Sequence, residues 1–191
     1  QRGTFLLRID LETGRARRFD LPAEMGNGPF LWSARWSRIF FYASQGMHGI
    51  GRLYEFDPRT GQTRALGRAH PELPCLAVSL AEAPDGTLYL GAYGRGCRLT
   101  GYRPDTGCFR DFGPADPDEF YYYVKCGADG TVAGLVKMAR PHVVALDPDS
   151  GALRPVGPVA DTQSQTGHVD LVKAADGRLY ISSHAGAFRL E

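Results

Sequence analysis

One turn recurs along this chain at nearly constant intervals. Asp10-Leu-Glu-Thr-Gly14, Asp57-Pro-Arg-Thr-Gly61, the shortened Pro104-Asp-Thr-Gly107 and Asp147-Pro-Asp-Ser-Gly151 each follow a strand-like hydrophobic run. Their terminal glycines lie 47, 46 and 44 residues apart. A period of that size is the signature of an array of supersecondary units. Midway between these turns a second one repeats, as Pro84-Asp85-Gly86, Ala128-Asp129-Gly130 and Ala175-Asp176-Gly177. Two hairpin turns per period, flanked by β-branched and aromatic residues, define four strands per repeat. That unit is the blade of an all-β, antiparallel β-propeller.

With strands lettered A to D from the axis outward, three full blades lie on the chain. The first has A near Phe30 to Ala34, B at Ile39 to Ala43, C at Arg52 to Phe56 and D at Thr63 to Leu66. The second runs A near Leu76 to Leu80, B at Thr87 to Tyr93, C at Cys97 to Tyr102 and D at Cys108 to Phe112. The third runs A at Phe120 to Cys126, B at Thr131 to Val136, C at His142 to Leu146 and D at Ala152 to Val156. The expected units are a C–D hairpin over 1–20, blades over 21–67, 68–113 and 114–157, and a partial blade over 158–191. Strand C would then begin twice, at Phe5 and at Phe188, so the chain reads as a piece of a larger propeller of about six to eight blades. A closed ring of four blades is the alternative.

Composition narrows the function classes. Twenty-two basic and 21 acidic side chains leave a net charge of +1, so there is no basic field to hold nucleic acid. No apolar run approaches the roughly 20 residues of a membrane helix. The chain starts at Gln1, and if a leader preceded it a secreted or periplasmic location is expected. Cys75, Cys97, Cys108 and Cys126 have no C-x-x-C spacing, so free and mostly buried thiols are expected instead of a zinc site. Trp32 and Trp36 read as core.

In a propeller the B–C and D–A connections emerge on one face and the hairpin turns on the other. All five histidines fall in the first set: His48, His70, His142, His168 and His184. Tyr93-Gly-Arg95-Gly-Cys97 and Lys137-Met-Ala-Arg140-Pro-His142 bring Tyr, Arg and Lys to the same face. Gln163, Gln165 and Asp170 approach the last inner strand, and Tyr121-Tyr122-Tyr123 opens the third one. Binding residues concentrate on such loops. Asp116, Asp118 and Glu119, interrupted by Pro117, read as a solvated turn. The hairpin face reads as structural.

The runs Thr87-Leu-Tyr-Leu-Gly-Ala-Tyr93, Gly101-Tyr-Arg-Pro-Asp-Thr-Gly107, Gly127-Ala-Asp-Gly130 and Val144-Ala-Leu-Asp-Pro-Asp-Ser-Gly151 resemble the blades of a broad bacterial group. That group includes virginiamycin B lyase-type and quinoprotein-type propellers and the propeller polysaccharide lyases. The resemblance covers the whole chain for the fold, but those residues build turns and not sites. Tryptophan-docking, WD-type and sialidase-box signatures are absent from the sequence.

What the resemblance implies is a carbohydrate-active propeller, most plausibly a lyase on a uronic-acid polysaccharide. β-Elimination needs a base beside a carboxylate, cations to hold that carboxylate, and an acid for the leaving oxygen. By role, His142 or His184 would be the base, Tyr93 the acid, and Arg95 and Arg140 the carboxylate clamps. His48, His168, Lys137, Gln165 and Tyr121 would bind substrate, His48 and His168 alternatively holding a divalent metal. No cofactor is otherwise implied. A non-catalytic ligand-binding or sensor module of a larger protein fits the same residues, with a polysaccharide or small molecule as partner. A lactone hydrolase ranks last, because the inner strands hold few acids beyond Asp170 and Glu119.

Overall fold

The computed structural model describes residues 4–21, 28–44, 51–70, 73, 76–138, 140–147, 149–156, 170–183 and 186–190. They form seventeen strands, and no helix among them is long and apolar enough to cross a membrane. Phe5–Ile9 (β1) and Ala16–Asp20 (β2) make a hairpin. Phe30–Ser33 (β3), Arg38–Ala43 (β4), Arg52–Phe56 (β5) and Thr63–Gly67 (β6) make the first four-stranded blade.

Leu76–Glu82 (β7), Leu88–Tyr93 (β8), Arg98–Arg103 (β9) and Cys108–Pro114 (β10) form the second blade. Tyr121–Cys126 (β11), Val132–Lys137 (β12), His142–Leu146 (β13) and Leu153–Val156 (β14) form the third. Asp170–Lys173 (β15), Leu179–Ser183 (β16) and Gly186–Arg189 (β17) form a three-stranded sheet. The fold is an all-β propeller arrangement of antiparallel blades. The second and third blades are not separate sheets, however. One pairing, Tyr121 with Tyr93, joins them into a single eight-stranded sheet.

The turns work as their residues dictate. Asp10 Oδ1 accepts from the backbone N–H groups of Glu12 (3.0 Å) and Thr13 (2.8 Å), and Asp147 Oδ1 does so from Asp149 (3.1 Å) and Ser150 (2.9 Å). Gly14 and Gly151 close these turns with φ of 67° and 72°, a region that L side chains avoid. The variant turn of the first blade puts Ser37 there instead, at φ 52°.

Packing between blades builds the core. Tyr122, Val124 and Cys126 of the third blade bury against Cys97 and Leu99 of the second. Tyr122 lies over Gly134, where a Cβ would come within 2.3 Å of its ring, and its hydroxyl donates to the Val144 carbonyl at 2.8 Å. The Ser79 hydroxyl donates to the Tyr122 carbonyl (2.9 Å) and accepts from the Val124 N–H (2.8 Å), so one side chain ties two inner strands. Only glycine fits at 91, since a Cβ there would meet the Tyr122 carbonyl oxygen at 2.0 Å.

Between the first two blades, Phe40, Tyr42 and Leu53 pack against Leu88 and Leu90, with Trp36 at the margin. Trp32 departs from the expected core position and is 55% exposed. The β1–β2 hairpin covers Phe41, Tyr54 and Phe56 on that side of the first blade, but Phe30 and Trp32 on its inner strand remain exposed.

Candidate functional site

Three loop-face segments converge where the second and third blades meet. They are the β8–β9 loop at 94–97, the β10–β11 connection at 115–120 and residues 138 and 140–141 of the β12–β13 loop. Backbone bonds hold the first against the second: Gly94 N–H donates to the Phe120 carbonyl (2.9 Å) and Gly96 N–H to the Glu119 carbonyl (3.0 Å). Glu119 is therefore no part of a solvated turn. It is 1% exposed, and its carboxylate accepts from the Arg140 backbone N–H, pinning the third segment as well. Asp118 beside it is exposed, as the sequence suggests, but nothing local announces the burial of Glu119.

An aromatic row crosses this junction. Strand register places Tyr121 opposite both Tyr93 and Lys137. The Tyr93 and Tyr121 rings are 4.7 Å apart, and Tyr121 and Tyr123 stack at 5.8 Å with their planes 4° apart. Lys137 Nζ sits 5.6 Å from the Tyr123 ring centre. Tyr93, Tyr121, Tyr123 and Lys137 are all half-buried, while Arg95 and Arg140 are exposed beside them. Six of the residues singled out from the sequence thus lie on these segments (Arg95, Arg140) or at the strand ends that flank them (Tyr93, Tyr121, Lys137, His142).

His142 is placed differently from a free base. Its Nδ1 donates to the Arg140 carbonyl at 2.7 Å, and Nε2 faces Asp116 Oδ2 at 3.4 Å, leaving the side chain 12% exposed. With both nitrogens turned to protein oxygens, the ring links the third blade to the loop leaving the second. His70 does the same one blade earlier: it accepts from the Leu73 N–H and its Nε2 lies 3.2 Å from Asp111 Oδ2. His48, His168, His184, Gln163 and Gln165 lie outside the described residues. Among the described residues no three His, Cys, Asp or Glu side chains are grouped to hold a metal ion.

The cysteines carry no evident chemistry here. Cys97 and Cys126 are buried free thiols, and burial pushes each up to about 12, far from thiolate formation at neutral pH. Cys108 is free and exposed, and Cys75 lies outside the described residues. A cavity of about 440 Å³ opens on the opposite, hairpin face, which the sequence had marked as structural only.

No family model matches the chain. No curated protein matches it either. Solved structures do. The extracellular domain of a putative one-component system from Bacteroides thetaiotaomicron aligns with TM-score 0.67 and 13% identity, over 96% of this chain and 24% of that one. TolB from Acinetobacter baumannii aligns with TM-score 0.58 and 13% identity, over 97% and 52%. An auxiliary nutrient binding protein from B. thetaiotaomicron aligns with TM-score 0.58 and 11% identity, over 98% and 56%. The chain spans little more than half of these structures at most. At such identities the likeness carries the propeller fold alone.

Proposed function

We propose that this chain is a ligand-binding propeller module whose loop face takes an acidic oligosaccharide. The Tyr93–Tyr121–Tyr123 row beside Lys137 carries this reading. Sugar rings pack on aromatic faces, and Lys137, Arg95 and Arg140 supply cations for uronate carboxylates. Neighbours that include an extracellular domain and a nutrient binding protein support binding as the role. The units over 1–20, 21–67, 68–113, 114–157 and 158–191 form the scaffold in this reading, and the remainder of a larger propeller would complete the rim.

A polysaccharide lyase is the finer alternative, supported by Tyr93 standing next to Arg95 as acid beside clamp. It needs a base with a free nitrogen, and the engagement of both His142 nitrogens moves that role to His184. Calorimetry with tetragalacturonate, run alongside ultraviolet detection of unsaturated uronate, separates the two readings. Binding without product, lost on Tyr121→Ala and Lys137→Ala and retained when His142 and His184 are both replaced by Ala, is the expected result. Product formation that requires His184 would establish the lyase. No binding to any uronate oligomer would remove both.

A further inference from the structure

The hairpin face repeats with one difference between consecutive interblade grooves. The A–B turns align as Ala34-Arg35-Trp36-Ser37, Ala83-Pro84-Asp85-Gly86 and Gly127-Ala128-Asp129-Gly130, with Ser37, Gly86 and Gly130 sharing the positive-φ position at 52°, 88° and 92°. Between the first and second blades the groove is filled by the chain itself. Trp36 Nε1 donates to the Gly86 carbonyl at 3.2 Å, Arg35 Nη1 donates to the Pro84 carbonyl at 2.9 Å, and the guanidinium lies 5.8 Å from the indole centre. Between the second and third blades Asp85 occupies the place of Trp36, and the cavity of about 440 Å³ opens there. That volume lies in the range of small-molecule sites, roughly 300–1,000 Å³.

The lining is specific in character. Tyr89 and Phe112 supply apolar walls, their rings 5.9 Å apart. Asp85, Asp129 and Asp147 stand at the turn side, against one cation, Arg110, which lies over Phe112 at 4.6 Å. Backbone N–H groups of Thr131 and Ser150 hold the Asp129 and Asp147 carboxyls below the usual carboxylate range, so both are anionic at neutral pH. Arg110 makes the outer end unsuitable for a cation, which directs positive charge to Asp85 and Asp129.

We propose that this groove binds a small aromatic cation, a planar ring system carrying a protonated amine, in the place that Arg35 and Trp36 fill one blade earlier. The ring would lie in the cavity against the exposed edges of the packed Tyr89–Phe112 pair, and the ammonium would meet Asp85 and Asp129. This site is separate from the loop face and does not depend on its function.

Tryptamine is the test ligand, titrated into the 191-residue chain by calorimetry and by amide chemical shifts, with ethylamine and indole-3-acetate as controls. Saturable tryptamine binding is expected, with shifts at Tyr89, Phe112 and Asp129, and much weaker binding of both controls. Asp85→Trp, which restores the plug of the first groove, should weaken binding at least about tenfold. Asp129→Asn, which keeps the turn acceptor and removes the charge, should weaken it about threefold and decides the matter if the tryptophan variant fails to fold. No saturation by tryptamine, or equal affinity in wild type and Asp129→Asn, would overturn the proposal.

Discussion

The two interblade grooves of this molecule solve one packing problem in different ways. Where the first blade meets the second, an indole and a guanidinium reach across the hairpin face and hydrogen-bond the backbone of the next turn. Where the second meets the third, the stitching has moved inward, to Ser79 bridging two inner strands and to Tyr122 lying over Gly134. The ties seen in the second case lie away from the hairpin face, where the cavity opens. One repeat spends its turn residue on cohesion and the next leaves it for recognition.

Breaking the inner stitching should have the largest effect. Gly91→Val places a side chain within 2.0 Å of the Tyr122 carbonyl oxygen, where backbone and not a flexible side chain must yield. We expect a loss of about 3 kcal/mol or more in urea unfolding. Trp36→Ala should follow closely, at about 3 kcal/mol, because it empties the first groove. Asp85→Ala, at the same place in the second groove, should cost only about 1 kcal/mol, the worth of its bonds to Thr87. Equal costs for these two substitutions would erase the contrast between the grooves. Tyr122→Phe keeps the ring over Gly134 and forfeits the bond to Val144, for about 1 kcal/mol.

The smallest effect concerns pH. Asp111, in the outer strand of the second blade, meets His70 from the connection between the first and second blades and Arg98. Burial alone would raise its carboxyl, but the Arg98 hydrogen bonds, the Gly113 N–H and the Arg98 and His70 charges outweigh burial and lower it. A depressed carboxyl contributes stability that is present above the unfolded value of about 3.9 and lost as pH falls through the folded value. The difference in urea midpoint between wild type and Asp111→Asn should shrink as pH falls below about 4. A difference that stays unchanged well below about pH 4 would show that the carboxylate is not held in its charged form.

The turns made most of the fold readable before any coordinates. Aspartate two or three residues before an acceptor-hungry backbone, followed by glycine, has one local solution, and β5 and β13 span the same residues that the turns alone had bracketed. Interblade contacts were not readable in this way. The pairing of Tyr121 with Tyr93 and the burial of Glu119 arise between segments of different blades, and neither leaves a local pattern. Trp32 was misplaced because an inner-strand tryptophan is buried only if a neighbouring strand covers it. The hairpin-face cavity had a signal that was passed over: Trp36 stands where the later repeats carry Asp85 and Asp129, so the next groove lacks the ring that fills the first.

The same pairing that joins the second and third blades has a mechanical consequence. Tension applied to one of them passes in part through main-chain bonds into the other, beside the packed side chains of Tyr122, Val124 and Leu99. The pair should therefore detach from its neighbours as one rigid plate, and a load-bearing tether would be better fixed there than anywhere on the first blade.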